Sequence, residues 1–332
     1  MRLIRVLAVI LALGSVAHAR EWTAKDGRKL EAELLSLTGD RVTLKRDSDG
    51  RTVTILLSLL SLEDQQWIKA RAIGAALSPP PGPGAAGTFR CDFQADDWQS
   101  PWNMGNPNLP RNVSIVSTFP GRMSPTNRVL EVTLKQGTHY GADFGYDFAS
   151  ATGKEPESAT LSYRICFAAD FNAEAVQGGK MPGFGGMYGD TGSAGKRVNG
   201  RDAWSARGAY WKPDAQGNIP IGFYVYHADM QNDYGDTLYF NRPLQRGRWH
   251  HVRLYIKLNT PASVETGKGS NDGILRAWID DRPVFERRDL RFRDTSELKI
   301  RNAWFHFYHG GGQPASQDYK LWIDDVAISS DE

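Results

Sequence analysis

From Thr88 to its end the chain is written almost entirely in strands: segments alternate apolar and polar residues between Gly, Asn and Asp turns, with no long helical period. The clearest are 129–135, 140–148, 159–168, 219–227, 249–258, 274–279, 299–308 and 319–328. Strands of this kind in roughly 240 residues bury their apolar faces only against one another, so the pattern predicts an all-β sandwich of jelly-roll type over 88–332.

The chain ahead of it is organised differently. Residues 1–19 carry Arg2 and Arg5, an apolar run from Val6 to Leu13, and Ala17-His18-Ala19, the form of a cleavable export signal. The apolar run is too short for a membrane span. The mature protein is therefore expected to be secreted or periplasmic, with no membrane span after processing. Residues 20–72 alternate with a period of two around Leu30, Ala32 and Leu34, then Val42 and Leu44, then Val53, Ile55 and Leu57, with turns between them. Ser61-Leu62-Glu63-Asp64 has a capping-box-like start for a short helix. Residues 73–87 hold Ser78-Pro79-Pro80-Pro81-Gly82-Pro83-Gly84, a spacer that cannot form a core and marks a domain boundary.

Losing Arg2 and Arg5 with the leader leaves 38 Lys+Arg against 38 Asp+Glu, a balance that argues against a general nucleic-acid binder. Cys91 and Cys166 both sit in strand-like runs, either as a cross-strand disulfide or as two buried thiols. Asn112-Val113-Ser114 fits a glycosylation sequon.

Several familiar sites are absent. The segment from Gly189 to Arg197 looks phosphate-like, but Asp190 stands where a P-loop needs Gly and Arg197 where it needs Ser or Thr; it reads as a loop beside a site. His250 and His251 are adjacent and so point to opposite faces of a strand, while His306 and His309 lack a further zinc-ligand pattern. No Glu-x-Asp-x-x-Glu run supplies the paired carboxylates of a sandwich glycoside hydrolase. Asp324-Asp325 reads as a solvated strand end or as part of a structural calcium site.

One lysine stands out, Lys180, held in the glycine-rich decapeptide from Gln177 to Gly186. Glycine lets backbone approach a ligand closely, yet the same composition describes a surface loop with a solvated lysine. Downstream, the period of two puts Ser205 and Arg207 on one face of a strand, and Tyr224 and Tyr226 on one face of another. If those strands are neighbours on a concave sheet, the five side chains share one groove.

The run from Arg20 to Arg28, with Leu59-Leu60-Ser61-Leu62-Glu63-Asp64, resembles the SH3-like SLA homology module of exported bacterial proteins. The resemblance implies a small β-barrel that binds or tethers a cell-surface or peptide partner. Trp249-His250-His251-Val252, Trp278-Ile279-Asp280-Asp281 and Trp322-Ile323-Asp324-Asp325-Val326 resemble strands of concanavalin-like sandwiches, which concerns fold. The order Gly-Gly-Lys-x-Pro-Gly, Ser-x-Arg, Tyr-x-Tyr resembles polysaccharide lyase family 14, whose members cleave alginate and related polyuronates. That resemblance implies an anionic polysaccharide substrate, no metal or cofactor, and functional positions at Lys180, Ser205, Arg207, Tyr224 and Tyr226. His139, Trp204, Tyr210 and His227 are the expected substrate-binding residues around them. The alternative is a non-catalytic carbohydrate-binding jelly roll.

Overall fold

The computed structural model describes residues 20–38, 41–61, 63–65, 68, 89–100, 102, 112–121, 127–175, 177–263 and 267–330. The export signal expected over 1–19 and the spacer over 73–87 lie outside the described residues. Among the described residues no helix is long and apolar enough to cross a membrane. The chain divides into two compact units, Met1–Pro79 and Pro80–Glu332.

The first unit is an antiparallel meander of β1 (Arg20–Thr23), β2 (Lys29–Thr38), β3 (Arg41–Arg46) and β4 (Thr52–Leu56) in sequence order. Alternation sends Trp22, Ala32, Val42 and Leu44 into its core, where Trp22 Nε1 donates to the Ala32 carbonyl at 2.8 Å. After a 3₁₀ turn at Leu57–Leu59, Leu60 bridges back to Ala24. Ser61 Oγ then accepts from Asp64 N at 3.1 Å, which caps the short helical stretch read from the sequence. Where a small closed barrel was expected, the described strands make an open four-stranded sheet.

The second unit is a jelly-roll β-sandwich. One sheet, in the order β13-β12-β11-β10-β17-β8, is built from β13 (Asp236–Tyr239), β12 (Ile221–Tyr226), β11 (Ser205–Tyr210), β10 (Gly179–Gly185), β17 (Asn302–Tyr308) and β8 (Tyr140–Asp147). The other runs β16 (Arg282–Leu290), β15 (Gly273–Ile279), β14 (His250–Lys257), β9 (Ser158–Phe167), β18 (Tyr319–Ser330), β7 (Val129–Leu134) and β6 (Val113–Val116), with β5 (Phe89–Cys91) also paired to β18. All pairings are antiparallel, and the chain passes repeatedly from one sheet to the other. Among the described residues of this unit the one α-helix, α1 (Phe148–Thr152), is a single turn capped by Asp147 Oδ1.

The core lies between the sheets, and it explains the alternation. Leu161, Ile165, Leu321 and Ile323 from one sheet and Phe184, Phe223 and Phe305 from the other are fully buried. Each such side chain contributes about 1.5–3 kcal/mol of hydrophobic burial. Rings touch across the layer, Tyr163 on Phe305 at 6.0 Å and Phe167 on Tyr210 at 5.8 Å. Cys91 and Cys166 are both buried and unpaired, the second of the two readings. His250 and His251 do point apart: His250 is buried and hydrogen-bonded to Asp280, and His251 faces Asp281.

The main departure is β10. The glycine-rich segment around Lys180 is an inner strand, buried along its whole length, and not a surface loop. Its register shifts between Met181 and Phe184, so Pro182 and Gly183 form a bulge where the missing proline N–H costs no ladder bond. Gly183 lies so close to β11 that a Cβ there would come within 2.6 Å of Arg207 Cα and 2.7 Å of Gly208 N. Gly183→Ala should therefore destabilise the protein by about 1–3 kcal/mol, read as a lower denaturation midpoint of the full chain. An unchanged midpoint would mean that β10 and β11 separate without cost.

Candidate active site

The outer face of the six-stranded sheet collects polar side chains because its inner face is committed to the core. On β11 and β12, Ala206, Phe223 and Val225 turn inward, leaving Ser205 opposite Tyr226 and Arg207 opposite Tyr224 on the outside. On β10, Lys180 sits opposite Ala209 of β11 and Tyr308 of β17. The three strands converge: Lys180 Nζ lies 4.0 Å from the Tyr224 ring centroid, and the Arg207 guanidinium lies 5.8 Å from Tyr224 and 5.0 Å from Trp304.

This cluster is electrostatically unusual. Lys180 is 8% exposed and Arg207 4%, and among the described residues no carboxylate forms an ion pair with either. Among the described residues Lys180 Nζ donates to the Gly178 carbonyl alone, at 3.1 Å, and Arg207 Nε is buried without a hydrogen-bond partner. Burial, then the neighbouring Arg207 charge, brings the Lys180 pKa down to about 7. Burial brings Arg207 down to about 10, so it stays a cation at neutral pH. Tyr224 is pushed well above the ordinary phenol range, chiefly by burial and then by its hydrogen bond to Tyr226, so it remains a protonated donor.

Ser205 and Tyr226 are tied to the loop that follows β10. Ser205 Oγ donates to the Gly192 carbonyl at 2.7 Å, and Tyr226 OH accepts from Gly195 N at 3.0 Å. Both residues are fully buried. The segment from Gly189 to Arg197 therefore lies beside this cluster, and these two residues hold it there. Tyr224 OH accepts from Gly235 N at 3.1 Å, which fixes the phenol from the opposite side.

The other expected contacts separate. His139 is at the edge of the cluster, stacked on Tyr308 at 5.3 Å with Nδ1 2.7 Å from the His309 carbonyl. Trp204 and Tyr210 belong to the core between the sheets, and their hydroxyl and indole groups bond to the Tyr308 and Lys299 carbonyls; alternation along β11 places them opposite Ser205 and Arg207. His227 is buried past the end of β12 with Nε2 2.8 Å from Asp236.

The structure adds β17, which the sequence reading passed over. Trp304 and His306 stack at 4.8 Å, and Tyr308 follows at 5.4 Å from His306. Burial, then Arg207 and Lys180, holds His306 well below the ordinary imidazole pKa, so it is neutral and adds no third charge. Trp304 Nε1 donates to Asp143 at 2.7 Å. The signal was the aromatic alternation Trp304-x-His306-x-Tyr308 itself. Among the described residues no group of three or more His, Cys, Asp or Glu is arranged to hold a metal ion.

A lysine brought to a pKa of about 7, a buried guanidinium and a protonated phenol thus meet on one sheet of a jelly roll, an arrangement chemically able to bind an anion and move a proton. The family model for polysaccharide lyase 14 matches residues 122–321, and the chain belongs to that family. No curated protein sequence matches it. Among solved structures it is similar to alginate lyase vAL-1 from Chlorella virus, at 15% identity and a TM-score of 0.54 over 70% of this chain and 94% of that one. It is also similar to the marine PL-14 alginate lyase from Aplysia kurodai, at 21% and 0.52 over 66% and 87%. Alginate lyase Aly36B matches at 21% and 0.52 over 73% and 96%. These likenesses establish the fold.

The Lys180 shift also bears on stability. Between pH about 7 and 10.5 the unfolded lysine holds a proton that the folded one has released, so stability rises with pH across that window; below it both states are protonated and the burial penalty is present in full. Lys180→Met should thus raise the unfolding midpoint at pH 6 and flatten the rise between pH 7 and 10. Parallel pH profiles for the two proteins would mean that Lys180 titrates normally.

Proposed function

We propose that this protein is an exported lyase that cleaves 4-linked polyuronates of the alginate or glucuronan type by β-elimination. The observation that carries the reading is the buried Lys180–Arg207 pair, which no carboxylate meets in an ion pair among the described residues; Asp143, whose charge does reach Arg207, is held by Trp304 Nε1 instead. A substrate carboxylate supplies the missing negative charge, and it does so next to the carbon whose proton must leave. The alginate lyases that share the fold support the same substrate class.

In the proposed reaction Arg207 binds the uronate carboxylate and withdraws charge from it, which acidifies the C5–H bond. Lys180, neutral above about pH 7, takes the C5 proton. The C5–H electron pair becomes the C4–C5 double bond as the C4–O bond breaks. Tyr224 delivers its phenolic proton to the departing oxygen, and the proton held by Lys180 returns to the phenolate by way of solvent. Neutral His306, buried with Nδ1 unpartnered and within reach of both charges, is a further donor for the carboxylate. Ser205 and Tyr226 act through the loop they anchor. For the first unit, the reading that fits its sequence is a binding or tethering module, and export rests on residues 1–19.

Incubation with alginate and glucuronan should generate the ultraviolet absorbance of an unsaturated uronate; silence across a broad polyuronate panel refutes the assignment. Lys180→Ala should lower kcat by about 10²–10⁴ with the fold retained, and the acidic limb of the wild-type kcat/KM profile should fall near pH 7. A fully active Lys180→Ala enzyme removes Lys180 as the base.

A further inference from the structure

Lys180 lies in a row of register partners that crosses the whole six-stranded sheet: Tyr140 of β8, Tyr308 of β17, Lys180 of β10, Ala209 of β11, Gly222 of β12 and Tyr239 of β13. Partners in adjacent antiparallel strands point to the same side, so the row has aromatic rings at both ends and little side chain between Lys180 and Tyr239. The bulge between Phe307 and Tyr308 matters here, because it brings Tyr140 out against the Tyr308 ring at 5.4 Å.

At the other end Tyr239 meets Trp211, the residue that follows β11, with ring centroids 4.4 Å apart. Their strands are separated by β12, and the rings reach each other because Gly222 puts no side chain between them. Trp211 is itself lodged against Gly178, whose carbonyl holds Lys180 Nζ; a Cβ on Gly178 would come within 2.8 Å of the indole nitrogen. Each aromatic pair thus abuts Lys180 on one side and ends in an open ring. Tyr140 is 62% exposed and Tyr239 56%, although packing in a core explains neither ring. A tyrosine left open beside a polar site offers the apolar face of a sugar ring a flat partner.

We propose that the polymer lies across the strands, its sugars stacking on Tyr140–Tyr308 to one side of Lys180 and on Trp211–Tyr239 to the other, so that cleavage is internal. This rests on the reading of Lys180 as the proton acceptor. From β10 to β13 is three inter-strand spacings, about 14 Å, and from β10 to β8 two, about 10 Å. The row therefore spans several sugar units on an axis running over the base, where an end-cutting enzyme needs contacts on only one side.

The test uses the full chain and uronate oligomers of defined length. Tyr239→Ala and Tyr140→Ala should each lower kcat/KM on long oligomers by about tenfold while leaving the shortest cleavable oligomer unchanged, and Tyr239→Phe and Tyr140→Phe should behave as wild type. Wild-type digestion should lower polymer viscosity early and release intermediate oligomers first. In the Lys180→Ala background, calorimetry should show the same length-dependent loss of affinity on removing either ring. Equal effects on short and long oligomers, no effect in either assay, or products released singly from a chain end overturn the platforms. An enzyme that binds long oligomers through these rings but produces no unsaturated product overturns the lyase reading and leaves the platforms standing.

Discussion

Two buried cations on adjacent strands, met by no carboxylate in an ion pair among the described residues, set the terms for the rest of this structure. Lys180 and Arg207 are both buried, and each raises the cost of charging the other. The protein answers by letting Lys180 give up its proton near neutrality, since the guanidinium cannot readily do so. Such an arrangement persists only where the surrounding scaffold is rigid enough to forbid its escape. Here the two residues lie on adjacent inner strands, β10 and β11, backed by the sandwich core.

Glycine is what permits that adjacency. Gly179 packs under the Tyr210 ring and Gly183 against the β11 backbone, so β10 comes as near to β11 as a chain with side chains could not. The bulge at Pro182-Gly183 then resets the alternation, keeping Met181 and Phe184 both in the core while Lys180 faces out. The composition that looks like a loop is thus the composition of a strand under close approach, with Lys180 as its one outward charge.

This is why the site was half legible in the sequence. Ser205 with Arg207, and Tyr224 with Tyr226, follow from the period of two, and direct cross-strand pairing brings them together as that period requires. The same period, applied to Trp204 and Tyr210, already sends them to the other face, where the structure has them in the core. The strands of the sandwich were readable because burial on one side writes alternation into them. β10 was not, since glycine and proline erase that alternation, and neither was the role of β17, whose Trp304, His306 and Tyr308 acquire meaning only from lying beside Lys180. In the first unit the alternation predicted the strands correctly, while the closure expected of a barrel has no counterpart among the described strands.

The five residues grouped by resemblance also divide by their physical circumstances. Lys180, Arg207 and Tyr224 are each shifted chiefly by burial, Lys180 further by Arg207, and Arg207 and Tyr224 further by Tyr226. Ser205 donates to the Gly192 carbonyl, and Tyr226 accepts from Gly195 N while also bonding to Tyr224. In the proposed reaction a loop pinned at these two points beside the site would bear on what lies along the sheet without touching the reacting carbon. Under that proposal substrate choice and proton transfer fall to different members of the same five, and a change in the loop would alter the first while leaving the second intact.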